Sequence, residues 1–124
     1  MKYLCLIYFE ETAMDALSEN DRQTLVREAN AYEAELKANG QMITSSPLQR
    51  VATATTVRVR NGKLSTTDGP FAETKEQLGG FILIEAKDLN EAIRVAANMP
   101  LAKYCSIEVR PLPLPKPGEA LRCS

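Results

Sequence analysis

The chain of 124 residues lacks histidine altogether. Histidine is the side chain that titrates closest to neutral pH and the most frequent protein ligand of transition metals. Its absence excludes an imidazole general base and a histidine-bound metal. Neither the P-loop spacing nor a Gly-x-Gly-x-x-Gly sequence occurs, which disfavours nucleotide binding by those routes.

Cysteine is scarce, with 3 residues in the chain: Cys5, Cys105 and Cys123. Zinc sites and thioredoxin-type centres need closely spaced pairs, which these widely separated positions do not form. We expect Cys5 and Cys105 to be small core residues. Nucleophilic catalysis is disfavoured as well, because Ser65 and Ser106 have no histidine to activate them.

An excess of charge and a long apolar run are also missing. The 15 basic and 16 acidic residues give a net charge of −1, so no global field attracts nucleic acid or an anionic membrane. The apolar run at residues 3–9 is much shorter than the roughly 20 residues of a membrane span. We therefore expect a cytoplasmic protein that has no signal peptide and binds neither membranes nor nucleic acid.

What the sequence does contain is an alternation of strand and helix patterns. Apolar runs bounded by turn residues predict strands. Ser18 and Asp88 stand where helix N-caps belong, whereas Gly40 and Pro100 end the helices that follow. The predicted strands span residues 3–8, 41–48, 81–86 and 106–110, and the helices lie at 18–40 and 88–100.

Local patterns add a hairpin and a bulge to this scheme. Residues 55–60 alternate between apolar and polar side chains, Asn61-Gly62 is a strong hairpin signal, and residues 63–67 form the returning strand. Gly79 and Gly80 indicate a β-bulge or a close backbone approach at the start of the next strand. In the helix after it, the apolar spacing predicts a buried face. Its members are Leu89, Ala92, Ile93, Ala96 and Ala97.

These elements form two strand-helix-strand halves, which favours an α+β fold: a ferredoxin-like plait with an inserted β-hairpin. Two helices cover only one face of the sheet, so a second copy is the natural cover of the other. We predict a homodimer that forms a closed dimeric α+β barrel with a small-molecule site. This domain spans residues 1–112. The proline-rich tail at 113–124 is either disordered or laid across a partner subunit.

One segment carries a family resemblance. Residues 68–81 read DGPFAETKEQLGGF and resemble the signature of the DGPF branch of the YCII-related proteins. Residues 1–3, 54–58 and 106–111 match the family too, so that the resemblance covers nearly residues 1–112. It implies a bacterial origin, a ferredoxin-like dimeric α+β barrel, an enzymatic role in the wider group, and an association of relatives with extracytoplasmic-function sigma factors. In the better-known YciI-type branch, the resemblance implies an active site that pairs a histidine with an aspartate. This chain has no histidine and departs from that mechanism.

Asp68 is the first candidate for catalysis. As a general base or substrate-orienting carboxylate it would act with Glu73 as a second carboxylate, because carboxylates in a partly apolar pocket can titrate nearer neutrality. The competing interpretation is structural, an Asx-turn in which Asp68 caps backbone N–H groups. Asp68 and Glu73 are also oxygen donors, but two carboxylates five residues apart arise often by chance, and we expect no metal and no cofactor.

The candidate ligand contacts are Tyr8, Arg58, Phe71 and Lys75. Lys75 is a candidate contact for an anionic group of the ligand. Arg58 belongs to a basic strand face that either binds an anion or is simply a solvated surface. Tyr8 is a hydroxyl donor on a strand that is otherwise a packing element.

Two functions follow from these observations. The first is a small-molecule-binding or acid–base enzyme-like homodimer with a cleft near Asp68. The second is a non-catalytic regulatory or interaction protein associated with an extracytoplasmic-function sigma factor, in which residues 68–80 are structural or a contact loop. A third interpretation, a stable scaffold with a vestigial cavity, also stays open.

Overall fold

Six strands and three α-helices make up residues 1–114, the part of the chain that this computed structural model describes. Short 3₁₀ turns at Val51–Thr53 and Pro100–Lys103 complete the backbone. The strands are β1 Lys2–Phe9, β2 Met42–Pro47, β3 Thr55–Arg60, β4 Lys63–Asp68, β5 Gln77–Glu85 and β6 Ser106–Pro111; the helices are α1 Glu11–Asp15, α2 Glu19–Ala38 and α3 Leu89–Ala97.

The main sheet has four antiparallel strands in the order β2-β5-β1-β6. This order places the first strand in the middle and pairs Cys5 with Ile82 on one side and with Val109 on the other. It is the arrangement of the ferredoxin-like plait, which confirms the predicted fold class. β3 and β4 form a separate two-stranded sheet, as the Asn61-Gly62 signal predicts.

Both long helices begin at the predicted caps. The Ser18 hydroxyl accepts a hydrogen bond from the Asp21 N–H at 3.0 Å, and the Asp88 carboxylate accepts one from the Glu91 N–H at 2.8 Å. Each cap satisfies one of the N–H groups that a helix start leaves without an intrahelical partner. Helix α2 ends as predicted, with Gly40 at a positive φ of 79°.

The core lies between the helices and one face of the sheet. Cys5 and Ile84 have no exposed surface, and Tyr32 of α2 donates a hydrogen bond to the Val95 carbonyl of α3 at 2.8 Å. This bond joins the two helices above the sheet. The core cluster consists of Tyr3, Cys5, Ile7, Leu36, Ile82, Ile84, Ala86, Ala92, Val95 and Met99.

Within residues 1–114, no helix covers the opposite face of the sheet. We call it the open face; register and alternation place six largely apolar side chains there. They are Leu4, Leu6, Tyr8, Leu78, Phe81 and Leu83. All of them keep solvent-accessible surface, in contrast to the buried residues that alternate with them.

The start of β5 contains the irregularity that its glycines predict. The register between β1 and β5 shifts between Ile7 and Tyr8, and Gly79 is left without a partner. A Cβ atom at Gly79 would overlap the ring of Phe9. Only glycine therefore lets the two strands approach at this point.

The structure also corrects several expectations. Helix α1 forms between the first predicted strand and the first predicted helix, where no element is predicted, and the buried face of α3 consists of Ala92, Val95 and Ala96. Leu89, Ile93 and Ala97, expected in that face, are exposed, because the face that meets the sheet is centred nearer to Val95. No helix within residues 1–114 has the length and hydropathy of a membrane span.

The last strand is longer than predicted. Pro111 belongs to β6, where it pairs with Tyr3. β6 lies at an edge of the sheet, where a proline can take part in a strand although it has no N–H to donate. Most of the predicted tail, including Pro115, Pro117 and Cys123, lies outside the described residues.

We predict that Gly79→Ala destabilises the fold by about 1–3 kcal/mol, because the added methyl group overpacks against Phe9. Urea unfolding measures the loss. In a Phe9→Leu background the same substitution should cost less, since the ring is gone. An equal cost in both backgrounds would contradict the proposed contact.

Candidate functional site

A cleft of about 730 Å³ opens on the open-face side of the sheet. Its floor is formed by the end of β1 and the start of β5, and its walls by the loop after β2, the base of the β3–β4 hairpin and the segment after β4. The lining residues are Tyr8, Leu48, Gln49, Arg50, Val51, Thr53, Ala54, Thr55, Thr56, Pro70, Phe71, Ala72, Thr74, Gln77 and Leu78.

The Asp68-Gly69 turn positions one wall. Gly69 has φ of 102°, a conformation that glycine adopts without strain. Its N–H donates to the Ala54 carbonyl at 2.7 Å, and its carbonyl accepts from the Thr56 hydroxyl at 2.9 Å. These two bonds hold the turn against the base of the hairpin and direct Pro70 and Phe71 into the cleft.

Tyr8 connects the cleft to the β6 edge of the open face. In the register it faces Ser106, whose hydroxyl donates to the Glu76 carboxylate at 2.8 Å. Burial, together with the neighbouring Glu108 carboxylate, raises the pKa of Tyr8 above its usual value, and Arg110 opposes this only weakly. Tyr8 is therefore a neutral phenol near neutral pH, able to donate a hydrogen bond.

The two described thiols are poor nucleophiles. Burial raises the pKa of Cys5 to about 11, and burial together with Glu76 raises the pKa of Cys105 to about 11. Both are therefore protonated at neutral pH, in agreement with the expectation that they pack rather than react. Cys5 is completely buried, and Cys105 packs against the core.

An ion-pair cluster that the sequence analysis missed lies at the rim of the cleft. The Arg50 guanidinium donates to both carboxylate oxygens of Asp15 at 2.9 Å, and the Glu11 carboxylate accepts from the Val51 N–H at 2.9 Å. The cluster fastens α1 to the loop after β2. Arg50 holds the pKa of Asp15 below its usual value, and Asp15 raises the pKa of Arg50. A separation of 35 residues between Arg50 and Asp15 gives no local sequence signal.

The structure brings together only part of the predicted site. Tyr8 and Phe71 both line the cleft, and Phe71 is 80% exposed at its mouth. Asp68 is exposed at the end of β4, outside the lining, and its carboxylate accepts no hydrogen bond within the described residues, so an Asx-turn cap is not formed there.

The other three predicted residues are also outside the lining. Arg58 is on the hairpin, and Glu73 and Lys75 are on the segment after β4; all three are exposed. Their functional roles, like that of Asp68, stay predictions. Within residues 1–114 no group of three or more cysteine, aspartate or glutamate side chains is arranged to hold a metal ion.

The fold and the cleft together define a class: an α+β protein of ferredoxin-like topology with a concave site beside its open face. The family follows from the sequence comparison. The model of the YCII-related domain matches residues 1–113, and the chain belongs to this family. An uncharacterised protein of Rhizobium meliloti strain 1021 is 38% identical over 121 residues, which cover 96% of this chain and 98% of that protein.

A solved structure supports the fold. The 5-chloro-2-hydroxyhydroquinone dehydrochlorinase of Burkholderia phenoliruptrix, determined in complex with 2,5-dihydroxybenzoquinone, superposes with a TM-score of 0.54. The two sequences are 18% identical, and the match covers 91% of this chain and 94% of the other. The likeness shows a shared fold.

We predict that the stability contributed by the Asp15–Arg50 pair is lost in acid. The pKa of Asp15 is lowered in the folded state from its ordinary 3.8, so this contribution is present above that value and disappears as the pH falls through the lowered one. Urea unfolding of the wild type and Asp15→Asn between about pH 7 and about pH 2 measures the difference. The two curves should converge at the acid end.

The matched control for this titration is Glu73→Gln, which removes an exposed carboxylate that has no ion pair within residues 1–114. NMR titration of Asp15 in Arg50→Gln should show its pKa rising towards the ordinary value. A pKa that stays low in Arg50→Gln would contradict the assigned cause.

Proposed function

We propose that this protein is a homodimer that binds a small, mainly apolar molecule in the cleft beside Tyr8 and Phe71. The observation that carries the proposal is the cleft itself, whose volume of about 730 Å³ falls in the range of about 300–1,000 Å³ typical of small-molecule sites. Its walls are mostly hydrophobic and carry a few polar groups, the composition that buries a ligand and orients it.

The lining indicates the kind of molecule that fits. Val51, Pro70, Phe71 and Leu78 offer apolar surface, and the exposed ring of Phe71 is free to pack on a planar group. Tyr8 offers a phenol hydroxyl that donates at neutral pH. An aromatic or similarly flat compound with one or two oxygen atoms meets both requirements. The related architecture that holds 2,5-dihydroxybenzoquinone supports this class as a first choice of probe.

Acid–base chemistry is the reaction type that we propose if the protein is an enzyme. Asp68 would be the base, because it precedes the turn that directs Pro70 and Phe71 into the cleft. Tyr8, on the floor, would hold the ligand by a hydrogen bond rather than accept its proton, since its pKa is raised.

The homodimer is supported by the apolar residues that the helices leave uncovered. Leu4, Leu6, Phe81 and Leu83 form a contiguous strip on the two central strands of the open face. A sheet with one helix-covered face needs a second layer over the other if that face is apolar. A second copy supplies a sheet of the same composition, and a two-fold axis brings like strips together.

The regulatory function, with an extracytoplasmic-function sigma factor as partner, stays the alternative. A cytoplasmic location is proposed for either function. If the protein is regulatory, residues 68–80 are a contact loop and the cleft has no ligand of its own. The ligand experiment separates the two functions.

We predict that 2,5-dihydroxybenzoquinone or a mono- or dihydroxybenzoate raises the melting temperature and binds measurably in calorimetry, since a ligand of the folded state stabilises it by mass action. Phe71→Ala should weaken binding by about 10-fold and Tyr8→Phe by about 2- to 10-fold, the effects of one aromatic contact and one hydrogen bond. Tyr104→Ala, which removes an exposed ring outside the cleft, is the matched control.

The Asp68→Asn variant adds a second readout to the same titrations. If Asp68 contacts the ligand, this variant binds more weakly while its melting temperature without ligand is unchanged. Binding that is indifferent to Phe71→Ala and Tyr8→Phe would place the ligand elsewhere. No shift with any compound of the series would favour the regulatory function.

We predict that the wild type has twice the chain mass of 13.7 kDa in multi-angle light scattering at about 10 µM, a concentration at which an interface of ordinary size is occupied. Leu6→Glu on the open face should convert it to a monomer. Val26→Glu is the matched control, because Val26 is 54% exposed on α2. A wild type of single-chain mass would exclude the homodimer.

A further inference from the structure

The β3–β4 hairpin has two chemically different faces. Cross-strand pairs lie on the same side of an antiparallel ladder, and successive residues alternate between sides. Val59 pairs with Leu64 and lies on the same side as Val57, whereas Arg58 lies opposite and Arg60 pairs with Lys63. One face of the hairpin is thus apolar and the other is basic.

Within residues 1–114, nothing covers the apolar face. Val57, Val59 and Leu64 are 59%, 57% and 69% exposed, and of the two strands only Thr56 is partly buried. A lone two-stranded hairpin is marginal in water, and it becomes stable when one face packs against something. The hydrogen bonds at Gly69 fasten only its base.

The position of the base indicates what the hairpin packs against. Thr55 and Thr56 line the same cleft as Tyr8 and Leu78, two residues of the open face. The hairpin therefore projects from the open-face side of the molecule, the side that the proposed second copy covers. A second copy that packs on the open face would therefore contact the hairpin.

The basic face is compatible with the same partner. Arg58, Arg60 and Lys63 make no ion pair within residues 1–114, and they stay in solvent when the opposite, apolar face is turned towards a second copy. A nucleic acid would attract the basic face but would leave the apolar face exposed, whereas a second copy covers the apolar face.

We propose that the β3–β4 hairpin of each subunit lies against the second copy of the chain with Val57, Val59 and Leu64 turned inward. The inference rests on the proposed homodimer. Because Thr55 and Thr56 at the hairpin base also line the cleft, docking of the hairpin adds a second restraint to a cleft wall that the hydrogen bonds of Gly69 already hold at its base.

The test removes the apolar side chains without adding charge. Val59→Ser/Leu64→Ser should raise the dimer dissociation constant by about 100-fold in sedimentation equilibrium, the effect of losing two buried aliphatic side chains. Both residues are exposed in the single chain, so its fold should persist. Leu89→Ser/Ile93→Ser on α3 is the matched control, since those side chains are 49% and 48% exposed and lie away from the open face.

A direct measurement accompanies the variants. In dimers mixed from isotope-labelled and unlabelled chains, filtered NOEs should join the methyl groups of Val59 and Leu64 to the other subunit. A dimeric wild type without such NOEs, or a hairpin variant that dimerises like the α3 control, would overturn the hairpin contact and leave the homodimer standing. A monomeric wild type would overturn both.

Discussion

The pairing of β1 with β5 is the constraint on which the rest of the structure depends. It runs through the middle of the sheet and decides which side chains of both strands face the helices, because a shift of one residue would turn every side chain to the other face. With Cys5 and Ile84 buried beneath the helices, the leucines that alternate with them have to occupy the open face. Gly79 absorbs the extra residue where this register ends and lets Tyr8 and Leu78 form the floor of the cleft.

The same division into two faces separates the core from the cleft. The helix side contains the buried cluster and the hydrogen bond from Tyr32 to Val95. The open side contains the cleft, the projecting hairpin and the exposed ring of Phe71. A homodimer would use one surface for two purposes, covering the apolar strip and enclosing a ligand.

The elements that the sequence predicts well have short-range causes. Ser18 and Asp88 cap helices through residues three positions away, and Asn61-Gly62 closes its hairpin by its own backbone preference. Helix α1 has 5 residues, too few to show a period, and its place depends on the distant Arg50. The face of α3 was misjudged because a count of apolar residues cannot tell which side of a short helix meets the sheet.

The candidate site shows the same limit. The cleft collects residues from five separate parts of the chain, and no pattern along the sequence brings Tyr8, Arg50 and Phe71 together. The DGPF segment does contribute to it, but through Pro70 and Phe71 rather than through the carboxylate of Asp68. The family signature contains a segment that lines the cleft, and only the fold shows which side chains of that segment face it.

The cluster of Arg50 with Asp15 and Glu11 gives the cleft a property that the core does not share. Packing of apolar side chains does not depend on the attraction between charges, whereas exposed ion pairs weaken as salt is added, because the Debye length falls from about 10 Å at 0.1 M to about 3 Å at 1 M. The loop after β2, which forms one wall, is fastened to α1 by such pairs. Rising ionic strength therefore weakens the attachment of one cleft wall and leaves the packed sheet beneath it unaffected, so that the two parts of the molecule respond differently to salt.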